Sequence, residues 1–95
     1  MEYRHLRDSG LLVSTIGLGT NDIGNRLDER ASRAVVHAAL DAGVTFIDTA
    51  DTYGLGASDT ILGAVLGDRP PDAILATKVA NPMSDSPCDQ GTSRR

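Results

Sequence analysis

At 95 residues the chain suits one small domain at most, with a modest buried fraction and a thin stability margin. Thirteen acidic against nine basic residues leave a formal net charge of −4, which argues against a phosphate-backbone partner such as nucleic acid. The single cysteine, Cys88, cannot form an internal disulfide, and no apolar run approaches the roughly 20 residues of a membrane span. The charged start Met1-Glu2-Tyr3-Arg4-His5 is not followed by an apolar stretch, so it does not read as a secretory leader. The expectation is a cytoplasmic protein without nucleic-acid or membrane partners. With one Phe, two Tyr and no Trp, its core must rest on Leu, Ile, Val and Ala.

Met1 to Leu6 alternates weakly, Asp8-Ser9-Gly10 supplies a turn, and Leu11-Leu12-Val13 resumes an apolar run. This predicts a small hairpin, with Gly10 at a position needing positive φ. Ile16 to Thr20 predicts a short strand interrupted by glycines, and Asn21 to Leu27 a loop. Asp28 is a good N-cap for a helix, with Glu29 favourably placed against its dipole. Ala31, Ala34, Val35, Ala38 and Ala39 recur at helical spacing as the expected apolar stripe, with Arg30, Arg33, His37 and Asp41 mostly opposite. Gly43 suits a left-handed helix end.

Val44 to Asp48 is β-branched and apolar, so a strand, and Thr49 to Ala57 a loop. Ser58 is the expected cap of a second helix, with Ile61, Leu62, Val65 and Leu66 as its stripe. Gly67-Asp68-Arg69-Pro70-Pro71 should end it, and Ala73 to Val79 is a third strand. Residues 81–95 read as loop, with Ser93-Arg94-Arg95 suiting the start of another helix. The order hairpin, β, α, β, α, β implies βαβ units on a parallel sheet. Parallel strands need cover on both faces, and two helices cover one.

Asp48 and Lys78 fall at or near strand ends, and Tyr53 lies in the loop five positions after Asp48. In a parallel α/β fold the carboxyl ends of strands converge on the ligand face. There the three make a workable proton-donating set. A phenol with an ordinary pKa near 10 donates slowly at neutral pH. A neighbouring ammonium stabilises the phenolate, and a carboxylate keeps that ammonium charged.

The segment Phe46-Ile47-Asp48-Thr49-Ala50-Asp51-Thr52-Tyr53-Gly54 closely resembles the aldo-keto reductase signature around its catalytic Asp and Tyr. Ser58-Asp59 and Leu62-Gly63 resemble the steps that follow in that family, with Asp in place of the commoner Glu. Ala76-Thr77-Lys78 resembles the strand bearing the catalytic Lys, and Leu11 to Thr20 the opening hairpin and strand. The resemblance spans nearly the whole chain and keeps several motifs in order. It implies an α/β fold: part of a TIM (β/α)8 barrel, with the N-terminal hairpin, the first three parallel strands and two helices. Residues 1–95 would form the N-terminal part of the barrel domain.

The resemblance further implies an NADP(H)- or NAD(H)-dependent oxidoreductase interconverting small-molecule carbonyls and alcohols. Tyr53 would donate the proton, Lys78 would make that proton easier to give up, and Asp48 would support Lys78. Gly19, Thr20 and Asp48 would lie beside the nicotinamide. The family's catalytic His, at the end of a fourth strand, has no counterpart here, since His5 falls in the hairpin and His37 on the first helix. The later cofactor-binding loops are also missing. The expectation is a truncated chain, inactive alone and with cofactor binding lost.

Blander readings stand beside this one. Asp48 could cap a turn, Tyr53 could be packing, and Asp51 could cap its loop. Gly54 and Gly56 could simply shape that loop, and Cys88 reads as an inert thiol. Gly17-Leu18-Gly19 lacks the third glycine and the following helix of a dinucleotide fingerprint. Two other functional classes remain open: a non-catalytic remnant, and a small binding module that pairs, or self-associates, through its open sheet edge.

Overall fold

The computed structural model describes residues 1–67, 73–87, 91 and 92. Strand β1 (Tyr3–His5) pairs antiparallel with β2 (Leu12–Ser14), with Tyr3 opposite Ser14. A 3-10 turn (Arg7–Ser9) joins them, and Gly10 ends it at φ +78°. The main sheet is parallel and three-stranded. Its strands are β3 (Gly17–Gly19), β4 (Phe46–Asp48) and β5 (Ile74–Ala76), in that spatial order. Helices α1 (Glu29–Asp41) and α2 (Ala57–Gly67) form the two crossovers. This is the predicted order: an arc of a barrel preceded by a hairpin.

The parallel ladder sorts side chains into faces. Leu18, Ile47 and Leu75 stand in one row across the sheet. Neighbouring rows point the other way. Ile47 is fully buried and packs with Ile23, Val36, Leu62 and Val65, so its row faces the helices. Burying side chains of this size contributes roughly 1.5–3 kcal/mol each. Leu75, at the far edge of the same row, is 48% exposed. The opposite face carries Gly17, Phe46 and Ile74, then Gly19, Asp48 and Ala76. A Cβ on Gly17 would lie 3.1 Å from the Phe46 ring, so this glycine makes room for the aromatic.

The hairpin is tied to the sheet by polar contacts. The Ser14 amide donates to Thr45 Oγ1 at 2.9 Å, and the Thr45 amide returns a bond to Ser14 Oγ, also at 2.9 Å. The Tyr3 hydroxyl donates to the Gly43 carbonyl at 2.9 Å. Strands β3 and β5 are shorter than expected at both ends, and β4 at its start only. Thr45 gives its amide to Ser14 instead of a ladder partner, so β4 starts at Phe46. Lys78 falls two residues beyond β5.

Asp28 caps α1 as predicted, its Oδ1 accepting from the Ala31 amide at 2.8 Å, and Gly43 takes φ +90°. The buried stripe of α1 differs from the expected one. Ser32 and Val36 are buried and Leu40 half-buried, while Ala34, Val35 and Ala38 are exposed. Five small side chains, four of them alanine, do not define a face. The larger Val36 and Leu40 reach the core and set the helix's rotation.

Helix α2 buries Leu62 and Val65, with Ile61 and Leu66 half-buried, as its stripe predicts. Ser58 is not its cap. A 3-10 turn (Tyr53–Gly56) runs directly into Ala57 with helical dihedrals. Ser58 lies inside the helix, in its first turn, and is fully buried. The Pro70-Pro71 stop, Cys88 and the Ser93–Arg95 helix start lie outside the described residues. Residues 81–87 form bends and turns, and Ala80 bridges to Gly91.

Candidate active site

Asp48 is the last residue of β4 and stands on the sheet face opposite the helices, level with Gly19 and Ala76. The chain then turns. Thr49 donates its amide to the Ala76 carbonyl at 2.8 Å, and the Tyr53 amide bonds back to the Ala50 carbonyl at 3.1 Å. This short turn brings the Tyr53 ring back over the strand ends. From β5, Lys78 reaches the same place.

The Lys78 ammonium joins the group. Its Nζ lies 2.9 and 3.0 Å from the two Asp48 carboxylate oxygens, 3.0 Å from the Thr49 carbonyl and 3.4 Å from the Tyr53 hydroxyl. An ammonium has three protons, and here it has three residues to give them to. It also sits 5.1 Å from the centre of the Tyr53 ring. The Asp48 hydrogen bond, helped by Tyr53, raises the Lys78 pKa above its ordinary value against a smaller desolvation effect. Lys78 is therefore a fixed positive charge at neutral pH. The site opens to solvent, with the Lys78 and Asp48 side chains 46% and 42% exposed.

Gly19 and Thr20 fill different niches. Open space lies where a Gly19 Cβ would be, on the same face as Asp48. Thr20 is buried. Both its amide and its hydroxyl donate to the Asp48 carbonyl, at 3.1 and 3.0 Å. Asp51 Oδ1 is buried without a partner, so the expected loop cap is not formed by this oxygen. Gly54 does more than shape its loop. It takes φ +59°, and a Cβ there would lie 2.7 Å from the Gly24 carbonyl oxygen.

The hydroxyls of Thr49 and Ser58 also belong to the surroundings of the site, which the residue pattern does not indicate. They lie 3.1 Å apart, Ser58 Oγ lies 3.2 Å from Thr20 Oγ1, and Thr49 Oγ1 donates to Asp59 Oδ1 at 3.1 Å. The signal in the sequence is Ser58 itself, whose chemistry also suits a helix cap. A separate open cleft lies between the loop before α1 and the start of α2, lined by Gly24, Leu27, Asp28, Ala57 and Ile61. Asp48, Tyr53 and Lys78 do not line it. Among the described residues no cluster of His, Cys, Asp and Glu could hold a metal ion. No described helix is long and apolar enough to cross a membrane.

Comparison with known proteins identifies the family. The sequence profile of the Aldo/keto reductase family matches residues 15–95. Aldo-keto reductase YhdN of Bacillus subtilis (strain 168) is 44% identical over 86 residues, covering 84% of this chain and 26% of that protein. A probable voltage-gated potassium channel subunit beta from Oryza sativa subsp. japonica is 36% identical, covering 100% of this chain and 30% of its own length. Among solved structures, the holo form of aldo-keto reductase AKR11C1 from Bacillus halodurans superposes with a TM-score of 0.81 at 34% identity. It covers 98% of this chain and 30% of that one. The chain thus spans under a third of the length of these relatives, and the structural match is to one part of a TIM barrel. Matched along most of its own length, it belongs to the aldo/keto reductase family.

Proposed function

We propose that this chain carries the proton-donating part of an NAD(P)H-dependent carbonyl reductase active site, with small-molecule carbonyls or alcohols as substrates. The observation that carries the reading is the single Lys78 ammonium shared between the Asp48 carboxylate and the Tyr53 hydroxyl. Proton donation leaves Tyr53 a phenolate, and a cation already within reach stabilises it without reorganisation. Asp48 holds that cation through both carboxylate oxygens, so Lys78 need not search for its place. Tyr53 is thus the general acid at the carbonyl oxygen, Lys78 its electrostatic support and Asp48 the anchor.

The cofactor would supply hydride to the carbonyl carbon. The residues fit its nicotinamide end: Gly19 leaves open space beside Asp48, as a planar ring at that face requires. Thr20 would shape that end without bonding to the ring, because its hydroxyl and its amide are both turned to the Asp48 carbonyl. NADP(H) is favoured over NAD(H) by family tendency alone. The likeness to a potassium channel subunit suggests a second class of role, but the charged contacts among Asp48, Tyr53 and Lys78 favour chemistry.

The test is a chimera in which residues 1–95 replace the matching segment of the Bacillus halodurans reductase. It should oxidise NADPH in the presence of an aldehyde. Tyr53→Phe should lower kcat by about 100-fold or more, the usual worth of a positioned general acid. An unchanged rate in the Tyr53→Phe chimera would sink the assignment. The 95-residue chain alone is expected to show no carbonyl-dependent NADPH oxidation.

A further inference from the structure

Three hydroxyl side chains from three elements meet below the site, and all are buried: Thr20 at 1% exposure, Thr49 at 0% and Ser58 at 0%. Polar side chains are rarely buried so completely, and then they are partnered. Thr20 follows β3, Thr49 follows β4, and Ser58 sits in the first turn of α2. Ser58 Oγ lies 3.2 Å from Thr20 Oγ1, 3.3 Å from the Thr20 carbonyl and 3.1 Å from Thr49 Oγ1. Packing alone does not require hydroxyls, because apolar groups of the same shape fill such a space about as well. Hydroxyls add direction.

Two of those directions lead to Lys78. The Thr20 hydroxyl and amide both hold the Asp48 carbonyl, fixing the backbone that presents the Asp48 carboxylate. Thr49 is held by its amide on the Ala76 carbonyl and by its hydroxyl on Asp59 Oδ1 and Ser58. Its own carbonyl then accepts from Lys78 Nζ at 3.0 Å. Two of the three residues that take the ammonium's protons are therefore set from beneath by this cluster.

We propose that Thr20, Thr49 and Ser58 are positioning residues, whose buried hydroxyls hold the Asp48 and Thr49 backbone so that the Lys78 ammonium stays aimed at Tyr53. The catalytic meaning of this rests on the function proposed above; the positioning itself does not. The titratable groups facing Lys78 are Asp48 and Tyr53, with Asp59 behind Thr49. Asp51 approaches through its backbone amide, which bonds the Lys78 carbonyl.

The test uses the 95-residue chain and reads the Lys78 ammonium by NMR titration, with no cofactor or carbonyl present. Thr49→Val and Ser58→Ala each remove one hydroxyl. Both should move the Lys78 pKa from its raised position toward the ordinary lysine value, and Thr49→Ser, which restores the hydroxyl, should bring it back. An unmoved titration in Thr49→Val and Ser58→Ala, with native methyl signals from Ile47, overturns the proposal. Should those variants not fold, the unsubstituted chain decides: the hydroxyl protons of Thr20, Thr49 and Ser58 should exchange slowly with water, and fast exchange overturns it. A chimera without turnover beside a Lys78 titration that behaves as stated would defeat the reductase reading alone.

Discussion

Replacing Gly54 by alanine tests the closest backbone approach near the site. Gly54 sits at φ +59° and ψ 25°, in the left-handed region, which costs a residue with a Cβ roughly 1–2 kcal/mol. The new Cβ would lie 2.7 Å from the Gly24 carbonyl oxygen, 3.0 Å from its carbon and 3.1 Å from Ala57 Cβ. The first two are backbone atoms and cannot rotate away, so the loop before α1 must shift. Overpacking of this kind costs typically 1–3 kcal/mol. The sum is about 2–5 kcal/mol, a large share of the 5–15 kcal/mol that holds a typical domain folded. Gly56 is the internal control. Its φ is +95°, yet nothing lies within 4 Å of its would-be Cβ, so Gly56→Ala carries conformational strain without the collision. Urea denaturation of both variants, followed by circular dichroism, should place Gly54→Ala below Gly56→Ala by about 1–3 kcal/mol. Equal stabilities, within about 0.5 kcal/mol, would refute the steric account.

Gly63 offers the opposite case. It lies inside α2, exposed, with open space around its would-be Cβ, so Gly63→Ala should stabilise the chain by about 0.5–1 kcal/mol in the same denaturation assay. The Lys78 contacts predict a pH effect. A raised folded-state pKa means their contribution is complete below the unfolded lysine pKa and is lost as pH rises through the folded value. The difference in melting temperature between the unsubstituted chain and Lys78→Met should therefore be flat at neutral pH and shrink in strong alkali. A difference that grows with pH would contradict this.

Much of the fold was legible because local signals agreed with one another. Asp28 before an alanine-rich run and Gly43 after it bracket α1, and the structure uses both. Alternating strands and helices gave the parallel sheet. Asp48, Tyr53 and Lys78 are separated by 30 residues of chain at most, yet their approach depends on β4 and β5 lying side by side, which the βαβ order alone implies. What escaped was decided at long range. The rotation of α1 follows from the reach of Val36 and Leu40 into a core that α2 completes, so the alanines could not reveal it. Ser58 has the chemistry of a cap, and only the adjoining 3-10 turn denies it that place. Its partners Thr20 and Thr49 are 38 and 9 residues away, and a hydroxyl's distant partner leaves no periodic trace.

The paired bonds between Ser14 and Thr45 carry a consequence for exchanging parts of this molecule. Each residue contributes one amide and one hydroxyl oxygen, and each satisfies the other. Ser14 is buried, so a mismatched partner would leave a polar group unsatisfied, at about 1–3 kcal/mol. A hairpin transplanted from a relative must therefore arrive with a small hydroxyl residue at position 14, or position 45 must change with it. Sliding the hairpin so that Val13 stood in the place of Ser14 would remove the hydroxyl oxygen that accepts the Thr45 amide. The two residues work as a lock against a slide in that direction.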